Sequence, residues 1–327
     1  MVKINVIILL LLVSVTRIQA GEKDPAIRFD FCGQTIEFQF NRSLVTEAPA
    51  QLSTAMVNGF YQSVNNEGYQ SMIEALLNYK AAHQPDDWLF YQLIRKTAQQ
   101  ISPKADNYLR YTLYKWFLLT KTGYDAVLAT SPARVLFYVR CDENIYNIPT
   151  RMVYGKQYVC LNYHDYGTID FLKESFTLAD VPVPEAKQVF SYTITRLPEF
   201  SPADYQEKEL RFSYNQNDYH FKVKLNPQIR ALFTNYPVVD YAMYLNIPLS
   251  KETYQSLIPL LKKSVKGMRV KNGVDYLMLF TRYAFLFAPD AEHFGSEKRL
   301  TPEQTLLYEK SDCEDRVALF FCLVKEI

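Results

Sequence analysis

Two hydrophobic periods share this chain, and together they confine it to a mixed architecture. From Gln51 to Gln100 apolar residues recur at three and four, with Ile73, Leu76 and Leu77 and then Trp88, Tyr91, Leu93 and Ile94 on one stripe. This is the spacing of amphipathic helices broken near Pro85. From 187 to 249 the period falls to two, as in Phe190-Ser191-Tyr192-Thr193-Ile194 and Leu210-Arg211-Phe212-Ser213-Tyr214, and Asn215-Gln216-Asn217-Asp218 joins the second of these to Tyr219 through Leu225 as a β-hairpin. Residues 28 to 40 also alternate, with Ile36, Phe38 and Phe40 on one side, and 125 to 165 read as strands with turns at Pro132, Asp142 and Tyr154-Gly155. After Pro248, helices resume from Glu252 through Lys263 and from Val274 through Phe287. The expected fold class is α+β, helices with antiparallel β.

The first 20 residues have the form of a signal peptide: Lys3, the apolar stretch Ile4 to Val15, and Ile18-Gln19-Ala20 ending in a small residue. An apolar run of about a dozen residues is too short to span a bilayer comfortably, so cleavage near Gly21 and a periplasmic or secreted protein without a stable membrane anchor are expected. The Pro-bearing stretch Ala179 to Pro184 is the best linker. The expected organisation is an N-terminal α+β domain over 21–178, a β-rich domain over 179–250, and a helical segment over 251–327. With 48% hydrophobic residues, 25 Tyr and 21 Phe there is ample material for these cores. A formal net charge of +1 and the lack of a basic tract argue against a nucleic-acid partner, and the Tyr count suits half-buried strands or a surface facing peptide or carbohydrate.

Chemistry concentrates near the carboxyl end, in Ser311-Asp312-Cys313-Glu314-Asp315-Arg316 followed by the apolar run Val317 to Val324. Ser311 or Asp312 can cap a helix, and Ser311 with Glu314 has the spacing of a capping box, so the first turn opens at the thiol. Helix-terminal amides favour a thiolate there, whereas Asp312, Glu314 and Asp315 oppose it. A cysteine at a helix start is also commonly a small packing residue.

Together with Phe280-Thr281-Arg282-Tyr283-Ala284-Phe285, Asp290 to Gly295 and Lys298 to Thr305, the S-D-C-E-D-R core resembles bacterial transglutaminase-like proteins, whose chemistry is that of papain-like cysteine hydrolases. The resemblance covers roughly residues 274 to 327. It implies a helix followed by antiparallel strands, with Cys, then His, then Asp in chain order, and it assigns Cys313 as the nucleophile. The chain continues only 14 residues past that thiol, so 251–327 is expected to be the incomplete start of such a domain, with no residue matching the later His or Asp. The face of Leu319, Phe320, Leu323 and Val324 is then expected to lack its covering strands, at roughly 1.5–3 kcal/mol per side chain.

Four histidines exist elsewhere. His293 lies in a loop-like stretch before the thiol, His220 alternates outward on a strand, and His83 carries no motif. His164 has Asp165 next to it, but neighbours on a strand point to opposite faces, which suits a turn or strand end better than an orienting pair. Asp106 to Tyr114 aligns without a gap with Asp312 to Phe320, Asn107 falling at the thiol position, so residues 86–170 read as a degenerate transglutaminase-like unit, or as an ordinary helix, Gly turn and strand. Of the five cysteines, Cys141 and Cys160 suit either a bridge across paired strands or two buried thiols, and Cys313 and Cys322, nine apart on one helix, cannot bridge. No CxxC or His/Cys cluster exists, so zinc is not expected, nor is any cofactor.

Three functions follow as expectations. One is an exported thiol hydrolase or acyltransferase acting on amide bonds of a peptide or protein substrate, complete only with an imidazole. The second is a non-catalytic protein binding a peptide or glycan-bearing envelope component. The third is an inactive fragment of a broken reading frame.

Overall fold

The computed structural model describes residues 25–41, 52–66, 68–295 and 297–327. The expected leader at 1–20 lies outside the described residues. The described residues open with a hairpin, β1 (Ala26–Phe31) and β2 (Gln34–Gln39), turned by Cys32 (φ 53°) and Gly33 (φ 80°), the left-handed pair of a two-residue type I′ loop. Alternation over 28–40 thus spans two strands, and Ile36, Phe38 and Phe40 are all buried. Four helices follow, α1 (Thr54–Val64), α2 (Gln70–His83), α3 (Asp87–Ile101) and α4 (Tyr108–Lys121), with the expected break at Pro85 between α2 and α3. Every residue of α4 from Tyr111 to Lys121 is buried. An all-round buried helix is a core helix rather than a surface one.

After Gly123 (φ 107°) the chain enters an antiparallel sheet of β3 (Ala126–Thr130), β4 (Val135–Arg140), β5 (Thr150–Val153), β6 (Lys156–Cys160) and β7 (Thr177–Ala179), in the order β5-β6-β4-β3-β7, curled like half a barrel with α4 against β3 and β4. The turns fall at Pro132, Asp142 and Tyr154-Gly155, as the sequence implies. The alternation at Phe190–Ile194 produces no strand. Its inward residues Phe190, Tyr192 and Ile194 are instead buried in the first core, beside α3. A period of two reports one buried face of extended chain, and extended chain need not pair.

β8 (Gln206–Tyr214) and β9 (Asn217–Leu225) form the expected hairpin. Short helices α5 (Gln228–Leu232) and α6 (Tyr241–Tyr244) follow, then α7 (Lys251–Val265), α8 (Val270–Tyr283), β10 (Leu286–Phe287), α9 (Asp290–His293), α10 (Pro302–Leu307), β11 (Lys310–Ser311) and α11 (Cys313–Glu326), with β10 and β11 paired in parallel. Two main cores result, and they do not follow chain order. Ile229 to Ile247 and Ala318 lie with most buried residues of 29–200 in the first, Leu210 to Leu225 and the rest of Leu249 to Leu323 fill the second, and Ala129, Leu136, Tyr138, Val153, Tyr158, Cys160 and Ile169 form a smaller cluster on the curled sheet.

On α11, Leu319 and Leu323 are fully buried in the second core, against the expectation that this face stands uncovered; α8 and α10 supply the cover. Val324 from the expected set is exposed, with Val317 and Phe321. The tyrosines depart from the half-buried strand reading too: Tyr91, Tyr114, Tyr124, Tyr192, Tyr244 and Tyr276 are almost wholly enclosed. All five cysteines are free, so Cys141 and Cys160 are two buried thiols. No helix among the described residues is long and apolar enough to cross a membrane.

Candidate functional site

Cys313 is the first residue of α11, and it is the exposed member of the cysteine set; Cys32, Cys141, Cys160 and Cys322 are buried. Burial pushes the thiols of these four up to about 12. The cap is Asp312, not Ser311: its carboxylate accepts from Asp315 N at 3.2 Å, and Asp315 accepts in return from Asp312 N at 3.4 Å. Ser311 cannot cap because it is still in β11, opposite Phe287, with its hydroxyl taking the Arg316 Nε proton at 3.1 Å. The box therefore runs one residue later than Ser311 and Glu314 would set it.

Arg316 fixes the start of α11. It donates to Arg282 O at 3.1 Å and Phe285 O at 3.2 Å, tying the thiol-bearing turn to the end of α8. Burial lowers its proton affinity, and Cys313 and Asp312 beside it act the other way.

The carboxylates of Asp290, Asp312 and Asp315 lie within 4.8 Å of one another, on the first turns of α9 and α11. Among the described residues none of the three has an ion-pair partner; Lys298 N donates to Asp290 and Leu300 N to Asp315, each at 2.7 Å. Burial, with the neighbouring carboxylates adding to it, pushes Asp315 up to about 8 and Asp290 up to about 6. Such an all-oxygen group could hold a hard cation. Asp312 and Asp315 are legible as neighbours from their i, i+3 spacing at a helix start; Asp290 joins them only through the β10–β11 pairing, which leaves no local signal.

An acid that holds its proton more tightly folded than unfolded costs stability as the pH rises from its unfolded value, here 3.8, through its folded value of about 8. Asp315→Asn keeps an acceptor for Leu300 N and can donate toward Asp290 or Asp312, as the protonated acid does. Relative to wild type it gains stability steadily from pH 4 to pH 8, reaching about 2–4 kcal/mol at the upper end. Urea unfolding of both proteins at the two pH values measures this, and a difference independent of pH contradicts the burial argument.

None of the four histidines hydrogen-bonds Cys313 among the described residues. The His293 ring stacks on Phe294 with centroids 4.1 Å apart and meets Tyr308 edge-on, and the His83 ring lies 4.6 Å from that of Tyr79. His220 faces solvent, as expected, with Nδ1 3.0 Å from Glu209. His164 and Asp165 sit in a 3₁₀ turn rather than a strand, so opposite-face geometry does not apply, and Nε2 lies 3.2 Å from Asp165 Oδ1.

That turn belongs to a buried polar cluster at the start of α4, which local sequence signals do not reveal. Asn107 is the N-cap, its side chain accepting from Arg110 N at 2.8 Å, so Tyr108 rather than Asn107 holds the first helical position that Cys313 holds in α11. Tyr108 Oη donates to Asp165 at 2.9 Å and accepts from Asn162 Nδ2 at 2.8 Å. Burial alone would raise Asp165, but His164, Lys104 and Lys115 outweigh it and hold the carboxyl below its ordinary range. Burial keeps the Tyr108 hydroxyl far above its usual value, so this hydroxyl is no nucleophile at neutral pH. No family model, curated protein or solved structure matches the chain.

Proposed function

We propose that this is an exported, periplasmic or secreted thiol protein of transglutaminase-like type, in which Cys313 attacks the amide carbonyl of a peptide or protein substrate. One observation carries the reading: the exposed thiol sits on the first residue of a capped helix, where free backbone amides can receive the oxyanion, and Arg316 holds that turn still. α4, a helix running into an antiparallel sheet with Tyr108 where a thiol would stand, agrees with a second, degenerate unit of the same type. In the reaction the sulfur forms a thioester as the amine leaves. The C–N bond breaks as the sulfur–acyl bond forms, and the proton given up by the Cys313 thiol reaches the departing amine through water.

The lack of an imidazole at the thiol among the described residues favours one further reading, a non-catalytic binding protein. Incubation with p-nitrophenyl acetate separates the two, because this ester has a leaving group that needs no proton. The sulfur–acyl bond forms, the ester C–O bond breaks and p-nitrophenolate departs. Mass spectrometry is expected to find the acetyl group on Cys313, formed well ahead of glutathione under the same conditions, and to find none after Cys313→Ala. Acetylation no faster than that of free glutathione leaves the binding reading.

A further inference from the structure

Exposed apolar side chains are not scattered evenly over this protein. Among the described residues, nine of the 17 exposed large hydrophobics lie on α8, β10 and α11, and eight of them, all but Tyr283 at the end of α8, are ordered in runs. Val270, Val274 and Met278 recur every four residues along the outer side of α8. Val317, Phe321 and Val324 repeat at four and three along α11. Leu286 and Phe287, 63% and 59% exposed, bridge the two.

The stripes form one surface. α8 and α11 pack together, and the bond from Arg316 at the start of α11 to Arg282 in the last turn of α8 makes them antiparallel, so their stripes lie side by side. The Arg316 guanidinium also covers the Phe287 ring at 5.6 Å, joining β10 to the head of α11. At their fractional exposures the eight residues leave roughly 800 Å² open, more than the 300–600 Å² largest patch of an ordinary monomer and close to the ~800 Å² that each partner contributes to a stable complex.

We propose that a second copy of this chain covers the face, as an isologous dimer in which α11 packs antiparallel against its counterpart. The area argues for this occupant, since one patch already supplies one partner's share. Two rigid, antiparallel helices also present a flat ridge that a two-fold axis can match to itself. The centre of the α11 stripe falls near Phe320 and Phe321, so at 1.5 Å per residue the two Cys313 thiols stand about 20 Å apart, near opposite ends of the interface. The dimer is therefore non-covalent, and it does not depend on the thiol chemistry proposed above.

Sedimentation equilibrium of the full chain at tens of micromolar, with and without reductant, tests it. A dimer is expected in both conditions. Phe321→Glu and Val317→Lys are each expected to weaken it at least a hundredfold, with circular dichroism showing the fold retained. Leu172→Glu, at a 99% exposed position on another surface, is expected to leave it intact. Should one of the two α11 variants unfold, the other decides. A wild-type monomer overturns the proposal, as does a dimer that survives either folded α11 variant or that disappears under reductant. A full chain that is monomeric, but dimerises once residues 1–20 are removed, assigns the face to that segment instead.

Discussion

Replacing Lys115 by methionine raises stability at pH 6 by about 4 kcal/mol and changes it little at pH 10. Lys115 lies in the middle of α4, is 1% exposed, and makes no ion pair or hydrogen bond among the described residues. Its ammonium faces the Tyr111 ring at 4.6 Å, with Tyr108 and Phe137 near 6 Å. Burial pulls it down from 10.5 to about 7; Arg95 and Lys104 add to the effect, and Asp165 opposes it. A lysine held below its unfolded value costs stability in full under pH 7, and the cost disappears as the pH rises toward 10.5. Methionine fills a similar volume with no charge to desolvate. Urea unfolding at pH 6 and pH 10 measures the effect. An equal loss at both values means that Lys115 stabilises the cluster by contacts that the charge argument misses.

Trp88→Ala is expected to cost 3–5 kcal/mol, near the limit for one side chain. The indole is 2% exposed, packs against Tyr91, Tyr192 and Tyr236, and donates from Nε1 to Leu232 O at 2.8 Å. Truncation empties the space where α3 meets the returning segment and leaves the Leu232 carbonyl without its donor. Trp88→Phe retains most of the volume and loses the bond, so it should recover more than half of the difference. Thermal unfolding of both variants checks this, and a loss below 1 kcal/mol for alanine contradicts the packing argument.

Much of the fold was legible because it rests on local periodicity. The two-residue turn between β8 and β9, the break at Pro85 and the turns of the curled sheet all announce themselves in turn residues and alternation. Local reading failed where burial came from far along the chain. Phe190 to Ile194 alternates like a strand because one side meets α3, some hundred residues earlier. Leu319 and Leu323 read as uncovered because α8 and α10, which bury them, precede α11 and show no complementary pattern.

The candidate site divides in the same way. Cys313 and its helix start were visible from the capping residues, although the register of the box depended on Ser311 being held in β11. Asp290 beside Asp312 and Asp315, and the Tyr108–Asp165 contact, are products of tertiary assembly. No spacing rule marks them.

The alternation of the chain between the two cores has a hereditary consequence. The backbone enters the first, leaves for the β8–β9 hairpin, returns through α5 and α6, and departs again for α7 onward. Such lacing means that no single crossover can pass one half to another gene intact, since any breakpoint strands part of one core in the wrong parent. The two halves must travel through evolution as one sewn piece.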